Sequence, residues 1–459
     1  MFSVWRRDSS QIYVDSNPHY MERKRQEIAL LNSCLVAPLE LPAPKGVAEA
    51  IDIKFKLAAA LRAERAMQSW PVTETAHPTF AHYRSGAFRF SFGYQRADLS
   101  VRGPPIYPAL ASRTSRAQTL YTGAGMSAIA SMLTATLRVR DRASVSLPRG
   151  VYSETRELLA RFGDRIDVRA WTPHGARHAH SATSVLWIDS CVPSGLDDFL
   201  SLPADAFDLV VFDTTCLGHG SRRIARVVDW VQKAQLPIAL VRSHAKLDCL
   251  GIEYGRLGSI RYMWNKGDRT HAWMKQLVSE THEAIRLFGA AALPSHFPPF
   301  AGTAAYHACT ARRTAAMLRN TRRAARRLIR AYGNDFVRTF QHNLYLTLAP
   351  PAPRSAAAVW RAANELCCSL ARQDLPVKHA GSFGFDFTAL DVFTDPLSER
   401  PVLRIVPGDL PPETIDQIVD AITESWAPRQ SANTVDHVAP ILPDSRPSIE
   451  RTVATGAPR

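Results

Sequence analysis

Apolar positions along the chain change spacing as it proceeds. From residue 18 to about 70 they recur three and four apart, which predicts helices over Glu22–Leu31 and Ala48–Ser69 on either side of a proline-rich break at 38–44. From about 118 to 242 short apolar runs alternate with amphipathic stretches. Leu120-Tyr-Thr leads through two glycines into a helix ending near Arg138, and Ala143–Leu147 reads as a strand. Ser153–Phe162 reads as a helix, Ile166–Trp171 as a strand, and Ser184–Asp189, Leu209–Asp213 and Ile238–Arg242 as three more, with an amphipathic helix at Arg222–Ala234 between the last two. Runs that are apolar on both faces and alternate with helices predict a mostly parallel sheet covered on both sides, an α/β fold.

Beyond Gly258 the pattern turns helical, and Trp264–Phe288 reads as one long helix. Arg312–Arg330 carries eight arginines. Their placement leaves Ala316, Met317, Ala324, Leu328 and Ile329 for a buried side and predicts a solvated arginine face. Alternation resumes with strands at Leu344–Leu348, Val377 and Val402–Val406 and helices at Ala356–Gln373 and Pro412–Ser425, a small α/β domain. Phe88–Arg96 is aromatic and basic, and the prolines at 104, 105 and 108 after it predict an exposed loop outside regular structure, suited to a partner or ligand. The division expected is an N-terminal helical arm at 1–75, a large domain at 76–290, a smaller C-terminal domain at 291–427 and a disordered tail at 428–459.

Composition narrows the class. With 459 residues, 46% hydrophobic and 21% charged, the chain is globular and not wholly disordered. Its seven cysteines form no C-x-x-C pair, which argues against a disulfide framework and a zinc site, leaves no metal expected and suits a reducing compartment. The start Met1-Phe-Ser-Val-Trp-Arg-Arg lacks the core of a signal peptide, and nowhere do eighteen apolar residues run without interruption. A cytoplasmic protein with no membrane partner is expected. The net charge of +14 favours anionic ligands, but the arginines are spread along the chain and single out no nucleic-acid surface.

Candidate chemistry centres on Lys246, which follows the apolar run Leu236–Val241 by five residues and has Ser243 three positions before it. An ammonium where a buried strand runs out is partly dehydrated, which lowers its pKa and equips it for Schiff-base chemistry; the alternative is a lysine that snorkels from the strand end. Gly123-Ala-Gly125-Met126-Ser-Ala128 follows a strand and opens a helix, a setting in which backbone amides bind phosphate. It nearly matches the dinucleotide fingerprint. However, the next strand ends Leu147-Pro-Arg149 with no acid for a ribose, so phosphate is retained and a dinucleotide set aside. Asp189, Asp213 and the Lys246 loop all fall at strand carboxyl ends, where ligands of such sheets sit.

In order, these motifs resemble fold type I pyridoxal-phosphate enzymes of the cystathionine γ-synthase branch, which serves cysteine and methionine metabolism. Tyr94-Gln-Arg96 resembles the family's tyrosine-x-arginine pair, Ala124-Gly125-Met126-Ser-Ala-Ile129 its phosphate loop, and Tyr152-Ser-Glu-Thr155 the segment whose tyrosine stacks on the pyridine ring. Asp213-Thr-Thr215 resembles the Asp-Asn-Thr whose aspartate pairs with the ring nitrogen, and Ser243-His-Ala-Lys246 the Ser-x-Thr-Lys that supplies a phosphate ligand and the Schiff-base lysine. Ser382-Phe-Gly and Arg404-Ile-Val-Pro-Gly408 resemble the two motifs that flank the substrate carboxylate. The resemblance implies a large domain with a seven-stranded sheet and pyridoxal 5'-phosphate held by Gly125, Met126, Tyr152, Asp213, Thr215, Ser243 and Lys246. It implies catalysis by Lys246 and Tyr152, an amino-acid substrate on Ser382 and Arg404, and a homodimer or homotetramer in which Tyr94 and Arg96 reach the neighbour's cofactor.

The departures are specific. Asp189-Ser-Cys-Val-Pro-Ser194 stands where the family has Glu-Thr-Pro-x-Asn-Pro, Ala245 replaces a threonine, and Ser153 replaces the glycine after the tyrosine. The activity implied is elimination or replacement at the β or γ carbon of an L-amino acid, sulfur-bearing or related. The alternatives are an aminotransferase or decarboxylase on the same fold, and a non-catalytic relative whose charge serves a binding role.

Overall fold

The computed structural model describes residues 17–73, 82–91, 100–102, 115–171, 183–192, 199–200, 202–203, 206–218, 220–265, 270–395 and 397–426. Tyr94, Arg96 and the expected tail lie outside them. Two helices open the chain, α1 (Asn17–Asn32) and α2 (Val47–Thr73), followed by three short strands, β1 (His82–Ser85), β2 (Phe88–Ser91) and β3 (Ser100–Arg102). Next come β4 (Ser115–Thr122), α3 (Gly125–Val139), β5 (Ala143–Leu147), α4 (Ser153–Ala160), β6 (Ile166–Ala170), β7 (Thr183–Asp189), β8 (Leu209–Asp213), α5 (Arg222–Lys233), β9 (Ile238–Ser243) and β10 (Gly258–Asn265). The rest comprises α6 (Thr270–Leu287), α7 (Ala304–Tyr332), β11 (Val337–Thr339), β12 (Leu346–Leu348), α8 (Ala356–Ala371), β13 (Val377–His379), β14 (Thr388–Thr394), β15 (Pro401–Val406) and α9 (Pro412–Trp426).

Seven strands form the large sheet in the order β4-β10-β9-β8-β7-β5-β6. All run one way except β10, which is antiparallel to both its neighbours, β4 and β9. The strand period of two sends alternate residues to opposite faces. Val185 and Trp187, Leu209 and Val211, and Ala239 and Val241 join a core beneath α3 and α6. Leu186 and Ile188, Val210 and Phe212, and Ile238 and Leu240 join another beneath α5. This two-sided burial explains why the strands read as continuous apolar runs.

Two expectations are corrected. Trp264 lies in a strand: an apolar aromatic run of this length suits a buried helix or strand equally by periodicity, and ladders on both sides decide for β10. The helix begins instead at Thr270. Phe88–Ser91 is likewise a strand, and Phe88 and Phe90 are buried against Phe297, with centroids 5.2 and 4.9 Å away. Phe88 and Phe90 of the supposed exposed loop are therefore core.

The smaller sheet has the order β11-β12-β15-β14-β13, with β13 and β14 parallel and the other pairs antiparallel, and packs on α8 and α9. Val47, Ile51 and Phe55 of α2 pack into the apolar cores of this part, and a buried ionic cluster joins it to α1 and α2 as well. Lys24 and Glu27 of α1, Lys54 of α2, Arg313 of α7, Asp386 and Asp409 are all fully buried and in mutual contact. Lys24 Nζ reaches Asp386 at 2.6 Å and Asp409 at 2.8 Å, and Lys54 Nζ reaches Glu27 at 2.5 Å. Lys54 also touches Asp386. Arg313 contacts Asp386, Glu27 at 3.2 Å and Asp409 at 3.3 Å. Three carboxylates this close could hold a metal ion, but two ammonium groups and a guanidinium stand among them.

The predicted arginine face of α7 is thus corrected at one position, Arg313, which points inward. The cations hold Asp386 and Glu27 below the usual carboxylate range against the opposing effect of burial. Burial weakens the hold of Lys54 on its proton, and its carboxylate partners oppose that. Removing one partner from such a set leaves an uncompensated buried charge. Asp386→Ala is therefore expected to lower stability by about 3–5 kcal/mol in chemical denaturation, several times the cost of deleting an exposed pair such as Lys233–Asp229.

Candidate active site at the carboxyl edge of the large sheet

Parallel register fixes the first part of the site. Asp189 ends β7 opposite Asp213, which ends β8, so both carboxyl groups stand at the same edge. Asp189 accepts hydrogen bonds from the amides of Tyr152 (2.9 Å) and Cys191 (2.8 Å). Asp213 accepts from the amide of Thr215 at 2.8 Å, while the Thr215 hydroxyl accepts from the amide of Ser243 at 3.0 Å, tying the ends of β8 and β9 together. Both acids are buried, and no cation among the described residues forms an ion pair with either. Burial, and then the neighbouring Asp189, pushes the Asp213 carboxyl up to about 7; burial raises Asp189 as well.

Beside them α3 begins. No side chain caps its N-terminus, so the amides of its first turn face outward with partial positive charge. A Cβ on Gly125 would stand 2.9 Å from the Ser243 Cβ, so only glycine lets this helix start come so close to the end of β9. Met126 packs its side chain against the large-sheet core.

The loop after β9 is fixed by a second buried ionic group. Arg242 forks onto Asp248 with Nε at 2.7 Å and Nη2 at 2.8 Å, and its Nη1 donates to the carbonyls of Thr214 and Leu217. Burial lowers the His244 pKa. As a neutral ring it donates from Nδ1 to Asp248 at 2.7 Å and accepts at Nε2 from Ser259 at 2.8 Å. Lys246 lies between these anchors. Its Nζ donates to Ser382 Oγ at 2.5 Å and sits 5.9 Å from the Phe383 ring centre, and burial lowers its pKa. Gly384 has φ +95°, and a Cβ there would come 2.6 Å from the Lys246 carbonyl oxygen, so the Ser382-Phe-Gly384 turn rests directly on the lysine.

Arg404 is not a free fork. Its Nη2 donates to Asp391 at 2.9 Å, and its guanidinium lies 5.7 and 5.4 Å from the rings of Tyr345 and Phe393. Nε is buried with no hydrogen-bond partner. Tyr152, at the head of α4, is 42% exposed.

Structural comparison decides the architecture. Two crystal structures of cystathionine γ-synthase from Xanthomonas oryzae pv. oryzae, one in complex with aminoacrylate and cysteine and one with cystathionine, match with TM-scores of 0.51. They share 16% and 15% identity with this chain, covering 80% of it and 98% of theirs. No protein-family model matches the chain, and no curated protein matches it. The fold is fold type I of the pyridoxal-phosphate enzymes.

The residues present fit that cofactor on observations of this structure. Asp213 is a buried acid with no ion-pair partner among the described residues, Arg242 acting on it only at a distance, and a pyridine nitrogen would supply the missing partner. The uncapped start of α3 beside Ser243 is a place for phosphate, and Tyr152 is exposed enough to meet a ligand. Among the described candidate site residues, Gly125, Thr215, Asp213 and Ser243 come together through α3, β8 and β9, and Lys246 joins Ser382. Asp391, Tyr345 and the Arg242–Asp248–His244 group were missed. Only Arg242 carried a sequence signal, as an arginine at the end of a fully apolar strand that needs a buried partner.

A pH prediction follows from Asp213. Its pKa is raised from 3.8 to about 7, so its contribution to stability is fully present below about pH 4 and is lost as pH rises through 7. In cofactor-free protein, Asp213→Asn is expected to remove on the order of 2–4 kcal/mol of that loss between pH 4 and 8, read as the difference between the two urea-unfolding pH profiles.

Proposed function

We propose that the chain binds pyridoxal 5'-phosphate at this edge and catalyses elimination or replacement at the β or γ carbon of an L-amino acid, sulfur-bearing or related. The observation that carries the reading is the convergence of a dehydrated lysine, a buried acid lacking a cation and an uncapped helix start on three neighbouring elements of one sheet edge. When bound, the cofactor supplies a sink for the electrons left when a bond to the substrate Cα breaks.

The chain's own groups do the rest. Asp213 holds a proton at the ring nitrogen, where its raised pKa lets the proton be shared without a full charge being buried alone. Ser243 and the amides of Gly125 and Met126 bind phosphate, with the α3 dipole aiding them. Tyr152 stacks on the ring and orients it. Lys246 would hold the aldehyde end of the cofactor and would move the proton at the substrate Cα; its lowered pKa keeps a share of it neutral for that task, and Ser382 sets the direction of Nζ. Arg404 orients the substrate carboxylate with the donors that Asp391 leaves, between two aromatic walls that exclude water. Homodimer or homotetramer assembly, with Tyr94 and Arg96 crossing to the neighbour's phosphate, belongs to the same reading.

Purified protein mixed with the cofactor should develop a visible absorption band that Lys246→Ala abolishes; a protein that stays colourless would sink the proposal. With a panel of amino acids, those that react should shift the band, releasing ammonia with a keto acid where the reaction is elimination and forming a new amino acid from an added nucleophile where it is replacement. Arg404→Lys keeps the charge but loses the planar fork, and it should raise KM about tenfold or more while changing kcat less.

A further inference from the structure

Two backbone carbonyls border Lys246, and a buried cation holds each. Leu250, four residues on, adopts φ +52°, and its carbonyl accepts from Lys54 Nζ of α2 at 2.6 Å. Gly384, which rests on the Lys246 carbonyl, accepts from Arg313 Nη2 of α7 at 3.0 Å. Ser382, two residues before Gly384, is the hydroxyl that takes the hydrogen bond of Lys246 Nζ. Lys54 and Arg313 share their counter-ions Glu27 and Asp386, so the two clamps belong to one ionic cluster.

We propose that Lys54 and Arg313 are positioning residues for Lys246: each clamps a backbone carbonyl of a loop bordering the reacting amine, and α1 and α2 are thereby part of the active site. The role rests on Lys246 being that amine. A charge-assisted hydrogen bond to a carbonyl is shorter and stronger than a neutral one, and here both donors are immobilised by carboxylates on their far side. Loops after catalytic strands are ordinarily free to shift; these two are fastened to a core that also includes the N-terminal helices. The groups facing Lys246 are Ser382, Phe383, Glu253, Cys216, Arg404 and Glu154, on several different segments, so small shifts of either loop change its surroundings.

Competitive acetylation of the full-length, cofactor-free protein, read at the Lys246 peptide by mass spectrometry across pH, reports the midpoint of that amine without any activity. Lys54→Met combined with Glu27→Gln removes one cation and one anion, so the cluster stays balanced while the Leu250 clamp is lost. Arg313→Lys keeps the charge but loses the reach to Gly384. Loosening either loop hydrates the amine, so the Lys246 midpoint should rise by about one pH unit, a tenfold change in the neutral fraction, while each melting temperature shows that the variant is folded. A rise in either folded variant supports the clamp it removes, and parent-like midpoints in every folded variant overturn the proposal. Hydrogen exchange in the parent decides the case even where variants fail to fold. Protection of 247–250 and 383–385 comparable to α1 is expected, and exchange as fast as in free loops would refute it. Because none of these readouts needs the cofactor, failure of the enzymatic reading would show separately, as a parent protein that stays colourless.

Discussion

The two loops that border Lys246 are fastened by six charges buried together where α1, α2, α7 and the smaller sheet meet. Dehydrating an ion costs several kcal/mol, and the attraction between opposite charges offsets this only where geometry is close and every donor finds an acceptor. Lys24, Lys54 and Arg313 face Glu27, Asp386 and Asp409 within hydrogen-bonding distance, with Arg23 closing the edge at 3.0 Å from Asp409. Such a set has essentially one arrangement. Apolar packing of the same volume would tolerate sliding of one element past another, whereas displaced charges would each lose a partner. The cluster therefore specifies where the Ser382 turn sits on Lys246 more sharply than the surrounding aliphatic core could.

The two acids at the sheet edge present the contrasting case. Asp189 and Asp213 are buried, though less completely than the acids of the cluster, and have amides and no ion-pairing cation for company among the described residues. Their pKa values move up, whereas those of Glu27 and Asp386 move down. Buried carboxyl groups thus separate into a set compensated by cations, which builds the fold, and a pair without ion-pair partners among the described residues, which the proposed cofactor would complete. A chain selected only for stability would have little reason to retain the second.

How much of this could be read from the sequence follows from periodicity. Strands buried on both faces, such as Val185–Asp189 and Leu209–Asp213, were legible because no polar residue interrupts them. β10 was not, since Ile260 to Trp264 suits a helix equally well, and its strand state depends on two neighbours distant in sequence. In α7 the reading by residue type concealed Arg313 among seven other arginines, although helical spacing sets it three, four and eleven residues before the buried Ala316, Met317 and Ala324. Lys24 stands likewise four and seven residues before the buried Ile28 and Leu31. Spacing carried the signal, and the expectation that charges face water overrode it. That the candidate residues Gly125, Asp213, Ser243 and Lys246 lie at one edge was legible because strand ends in parallel sheets share an edge. The partner of Arg404 was not, because the β14–β15 pairing that sets Asp391 opposite it is a matter of register.

In the proposed function, that pairing would shape how Arg404 recognises a carboxylate. A lone arginine in a pocket must be ordered when a ligand arrives, which costs side-chain entropy; Arg404 is already held by Asp391 and by the rings of Tyr345 and Phe393. The counter-ion weakens its attraction for a second anion, while the fixed plane of the guanidinium sharpens the direction from which that anion is accepted. Its Nε lacks a hydrogen-bond partner, so binding that brings an acceptor within its reach also removes the penalty of an unsatisfied buried donor, about 1–3 kcal/mol. The arrangement therefore gives up raw affinity for the carboxylate in favour of orientation. For a reaction in which one chosen bond to Cα must be aligned before it breaks, orientation is the more valuable of the two.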